Sequence, residues 1–99
     1  MSQSVLREVA DERARQDAKW GIQNHPDGTG VKNEELADLA KVMTDSAAAD
    51  GSLTYGLILQ EEFYEAMAET DPAKLRAELI QVAAVAVAWV ECIDRRGGK

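Results

Sequence analysis

Four polar positions in this 99-residue chain could act together: Glu62 and Glu65 in the segment LILQEEFYEAMAE, and Glu78 and Gln81 around the start of an apolar run from Leu79 to Val90. Residues three or four apart share one face of a helix, so Glu62 and Glu65 lie one turn apart beside a stripe of Leu59, Phe63, Ala66 and Met67. Gln81 is the single polar member of its run. A helix apolar on every side is expected to be buried all round, by its own bundle and by another subunit. The run of twelve residues falls short of the ~20 needed to cross a bilayer. Carboxylates at the border of a buried helix are costly to desolvate unless positive charge meets them. Three are too many for one arginine, and a hard divalent cation with oxygen ligands answers the problem better.

The order E-x-x-E (Glu62, Glu65) and then E-x-x-Q (Glu78, Gln81) resembles the all-α nucleoside triphosphate pyrophosphohydrolases of the MazG-like superfamily, whose signature is E-x-x-E followed by E-x-x-D. The resemblance covers residues 57 to 96 well and the first third of the chain more loosely. It implies magnesium, with manganese as a substitute, and hydrolysis between the α and β phosphates of an NTP or dNTP to the monophosphate and pyrophosphate. By the same resemblance Glu62, Glu65 and Glu78 are metal ligands, and Glu61 or Glu65 takes the proton of an attacking water. Gln81 stands where the family has an acid; it can offer a carbonyl oxygen but brings no charge and cannot serve as a base. That departure keeps a second expectation open, a protein that binds a nucleotide without cleaving it and acts as a sensor or sequestering module. A plainer alternative also stands for each group: a solvated acidic face for the glutamates, and for Gln81 an amide fixing helix register across a subunit interface.

A second cluster, KWGIQNHPDG, puts Trp20, Gln23, His25 and Asp27 within eight positions. An aromatic plane can stack on a base while imidazole, amide and carboxylate bond base or sugar edges. The segment looks like the W-x-x-F-H-x-P stretch of dCTP-pyrophosphatase-like members of the same superfamily, with Gln23 and Asn24 among the departures. The alternative is a structural histidine near a turn and a tryptophan anchoring a helix end. Arg95, Arg96 or Lys74 is expected to reach the phosphates, and nothing in the sequence selects among them. Trp89 and Tyr64 are expected in the core. One cysteine, Cys92, and one histidine cannot build a structural zinc centre.

Positioning these groups calls for helices. Hydrophobic content of 45% with only 5% aromatic residues points to an alanine-rich all-α domain, and no strand signal competes. One domain over residues 1–99, a four-helix bundle, is expected to be completed by dimerisation or as a dimer of dimers, a homodimer or homotetramer, because so short a chain buries a limited share of its surface. The net charge of −7 argues against nucleic acid or an anionic membrane as a partner. A nucleotide would be repelled unless magnesium bridged the two. No leader segment is recognisable, and the cytoplasm is the expected compartment.

The first helix is expected over 2–20, capped by Ser2 or Ser4, thinly apolar, with Asp11 and Arg15 paired one turn apart. A turn-rich loop, GIQNHPDGTGVK, covers 21–32. Asn33 is the expected cap of a helix over about 34–48, with a stripe of Leu36, Leu39, Ala40, Met43 and Ala47. Gly51 stops it. A third helix follows over 55–69, and Asp71-Pro72 opens a fourth that runs to about Arg95, before Gly97-Gly98.

Overall fold

The computed structural model describes residues 3–97, and among them every regular element is helical. The elements are α1 (Gln3–Trp20), a 3-10 turn (Val31–Asn33), α2 (Glu34–Asp50), α3 (Tyr55–Ala68) and α4 (Pro72–Arg96). No helix among the described residues is long and apolar enough to cross a membrane. The chain divides into two compact units, one of residues 1–27 and 87–99 and the other of residues 28–86.

In the unit of residues 28–86, α2 packs against α3. The four-residue link Gly51–Thr54 leaves no length for anything but an antiparallel return. Gly51 takes a left-handed conformation (φ 83°), which a side chain would strain, and its N–H closes α2 on the Ala47 carbonyl. Thr54 then caps α3, its hydroxyl accepting from the Leu57 N–H at 3.1 Å. The buried residues of α2 are Ala40, Thr44 and Ala47, spaced four and three apart. Small side chains at this spacing let two helices approach closely. Thr44 pays for its burial by sharing one hydroxyl proton between the carbonyls of Ala40 (2.9 Å) and Leu57 (3.1 Å), the second across the helix pair.

The apolar stripes read from the sequence are therefore split. Ala40 and Ala47 are buried as expected, while Leu36, Leu39 and Met43 are exposed; Ala66 is wholly buried in α3, but Phe63 is exposed, its ring edge-on to Tyr64. The helices meet along their small residues, and the larger ones flank the seam.

The fourth helix is covered only in part by its own chain. Its apolar run is not buried all round within one chain: Leu79 is 47% exposed, Ile80 57% and Val90 41%, and Leu75 is the residue of α4 that is buried. The physical reason is supply: so short a chain buries a limited share of its surface, and among the described residues no large side chain is fully buried. Trp89 and Tyr64, expected in the core, are half-buried. Asp71 opens α4 as expected, accepting the Lys74 N–H at 3.1 Å.

Asn33 does not cap α2 with its side chain. Its amide instead donates to the Met67 carbonyl at 2.9 Å, which also accepts the Gly30 N–H at 2.9 Å. The 3-10 turn is thereby tied to the end of α3, supplying partners for a carbonyl that the helix leaves open.

In the other unit, α1 buries only Val5 among its described residues, and a shallow groove is lined by Val5, Val9, Glu12 and Val90. Arg15 pairs with Glu12 at 2.9 Å, not with Asp11, and Arg13 pairs with Asp17 at 3.0 Å; both pairs are exposed and worth little. Ser4 lies inside α1 and so is not its cap, and Ser2 lies outside the described residues. Gly97 closes α4 on the Ile93 carbonyl at 3.0 Å, and Gly98 lies outside the described residues.

Candidate metal centre

Glu62 and Glu65, one turn apart on α3, and Glu78, on the second turn of α4, each bring one carboxylate oxygen into a set lying within 4.8 Å of one another. All three side chains are half-buried. Two oxygens on opposite sides of a magnesium ion stand about 4.2 Å apart, twice the Mg–O distance. The observed spacing needs only small rotations to close on such an ion, and the donor set, all carboxylate oxygen, suits a hard cation.

The electrostatics agree with that geometry. Burial holds the Glu62 carboxyl above its ordinary value, and the charges of Glu78 and Glu61 push it further. Burial also raises Glu65, followed by Glu62, Glu61 and Glu78, while Lys41 opposes the rise. Carboxyls raised in the folded state ionise first in the unfolded chain. Their contribution to stability is thus full below the ordinary value of 4.5 and lost as pH climbs through the raised folded values. Without divalent cation, a thermal-denaturation series from pH 4.5 upward should show the melting temperature falling more steeply for the wild type than for Glu62→Gln; parallel curves would mean the carboxyls are relaxed.

Glu65 and Glu78 line a groove of about 330 Å³ together with Glu34, Ala37 and Asp38 of α2 and Ala68 and Glu69 of α3. Sequence reasoning missed Glu34, Asp38 and Glu69 as neighbours of the cluster. The available signal was the short link after α2: an antiparallel return sets the i, i+4 pair Glu34/Asp38 against the i, i+4 pair Glu65/Glu69. The whole net charge falls in residues 28–86, which hold eleven acids and four bases, while the remaining residues hold seven of each.

Of the other expected site residues, Glu61 is half-buried on α3 beside Glu62, and Gln81 is exposed on α4, one turn beyond Glu78. Trp20, Gln23, His25, Asp27 and Arg95 belong to the other unit. Trp20 ends α1, 58% exposed, with the Lys19 ammonium 4.8 Å from its ring centre. Gln23, His25 and Asp27 follow in an exposed segment without regular structure, and Arg95 is exposed in the last turn of α4.

The chain matches no protein-family model, and no curated protein and no solved structure is significantly similar to it.

Proposed function

We propose that residues 28–86 hold a divalent cation, magnesium or manganese, and that the protein is a cation-dependent pyrophosphohydrolase of nucleoside or deoxynucleoside triphosphates. The observation that carries this reading is the convergence of Glu62, Glu65 and Glu78 from two helices on one point, at a spacing that a hard cation can close. Glu62 and Glu65, whose ionisation is made costly by burial and by the acids around them, are relieved by such an ion.

When bound, the ion supplies charge neutralisation at the phosphates and an acidified water. The chain supplies the rest. Glu62, Glu65 and Glu78 fix the ion's position, and Glu61, beside them without belonging to the convergent set, takes the proton of the water that attacks the α-phosphorus as the bond to the β-phosphate oxygen breaks. Pyrophosphate leaves and the monophosphate remains. The cytoplasm, where nucleotide and magnesium pools meet, is the matching compartment.

A second reading keeps the ion and the nucleotide but not the cleavage. Gln81 favours it, being neutral, exposed and placed where the resembled signature has an acid. Incubating the protein with a panel of NTPs and dNTPs plus magnesium, with pyrophosphate and monophosphate measured, separates the two. Release of both products is the expected outcome; nucleotide binding without release assigns the protein to the second reading.

The proposal includes a second copy of the chain against α4. Leu79, Ile80 and Val90 are large apolar side chains left in water by the single chain, and paired copies would cover them.

A further inference from the structure

A groove whose charged lining is all acidic is an unwelcoming place for a polyphosphate. Even with one divalent ion bound, Glu34, Asp38 and Glu69 line the groove around it. A substrate of three or four negative charges needs further positive charge close by, and residues 28–86 contain four bases: Lys32, Lys41, Lys74 and Arg76.

The register of α2 against α3 selects among them. Asn33 reaches Met67, and Thr44 reaches Leu57. Counting along α3 from either fixed point sets Lys41 across from Leu59 or Gln60, within two residues of Glu61. Ala37, Lys41 and Thr44 follow one another at four and three residues and so share a face of α2. That face runs from Ala37, in the groove wall, to Thr44, bonded across the seam. Lys41 is also the one cation among the charges acting on Glu65, and the charges of Glu61 and Glu65 act on it in return.

We infer that Lys41 is a substrate-binding residue of this site, its ammonium meeting a phosphate oxygen of the triphosphate held by the cation. The inference rests on the cation-centred reading above and adds to it the group that makes a polyanion acceptable. In the structure Lys41 is not committed elsewhere at great cost. Its partner is Asp45, one turn on, at 3.3 Å, with both side chains more than 60% exposed. Such a pair is weak, and a phosphate can displace it. Four methylenes give the ammonium the reach to change partners. Lysine, a flexible point charge, suits a phosphate whose position shifts during reaction.

The test uses the full chain, manganese, and inorganic triphosphate as the ligand, so that base preference plays no part. Calorimetry first measures manganese binding, then triphosphate binding to the manganese-loaded protein. Lys41→Gln should bind manganese as tightly as the wild type or more tightly, because a competing cation has gone, while its triphosphate affinity falls about tenfold or more, the scale of a lost hydrogen bond to a charged group. Lys41→Arg should retain most of the affinity. Asp45→Asn, which frees the ammonium, should raise it. Lys41 is exposed, so these variants are expected to fold, and far-ultraviolet circular dichroism checks that they do.

Unchanged triphosphate affinity in Lys41→Gln, with manganese still bound, overturns the role of Lys41 and leaves the cation site standing. Absence of manganese binding in the wild type instead removes the cation site, and the role of Lys41 with it.

Discussion

Glu78→Gln should change the protein in two opposite directions at once. Without divalent cation the variant should melt at a slightly higher temperature than the wild type, because one of the like charges acting on Glu62 and Glu65 has gone. With cation the order should reverse. A wild type at a hundredfold excess over its dissociation constant gains about 2.7 kcal/mol, which for a domain of this size is a rise of roughly 10 °C or more. The variant should gain little of this, and its nucleotide hydrolysis should fall a hundredfold or more, since even residues that merely orient metal ligands are worth tenfold to a hundredfold. Differential scanning fluorimetry with and without manganese reads the first part, and product analysis the second. An equal manganese shift in both proteins would mean that the three carboxylates are surface charges that happen to be near one another.

The second large effect concerns the fold. Ala66 is wholly inaccessible to solvent, so Ala66→Leu adds three carbons where there is no room for them. Overpacking of that kind costs about 1–3 kcal/mol, against a total stability of about 5–15 kcal/mol for a chain of this length. The melting temperature should drop by roughly 5–20 °C. The same change at Ala49, exposed near the end of α2, should move stability by no more than about 0.5 kcal/mol. Equal effects at the two positions would show that α3 does not use Ala66 as a contact.

Helix positions were largely legible in the sequence, because caps and stops are written in local chemistry. Asp71-Pro72 and Gly51 act where they were expected to act, on neighbours a few residues away. Asn33 shows the limit of that reasoning. Its type and place suit a helix cap, yet the Met67 carbonyl, far off in sequence, offers its amide a bond that no local reading can see. Burial was harder still. Leucine, alanine and methionine at helical spacing on α2 look equally like an inward stripe, and only the approach of α3 decides that Ala40 and Ala47, with Thr44, face the seam while Leu36, Leu39 and Met43 flank it.

The acid cluster divides in the same way. Glu62 and Glu65 could be paired from their spacing, and Glu78 joined them as an acid at the border of an apolar helix, a grouping that likeness to the signature then sharpened. Lys41 and Asp38 carried no signal of their own. They sit in an ordinary amphipathic helix, and their position depends on how that helix registers against the next.

All the excess negative charge of the chain is gathered in residues 28–86. Part of that repulsion lies between exposed side chains, where a sodium or potassium atmosphere can damp it, with a Debye length of about 10 Å at 0.1 M and 3 Å at 1 M. The half-buried trio is screened far less. Background electrolyte is therefore a second, unspecific counterweight to the same crowding, and the apparent hardness of this protein in dilute buffer and in brine reports two different balances of one set of charges.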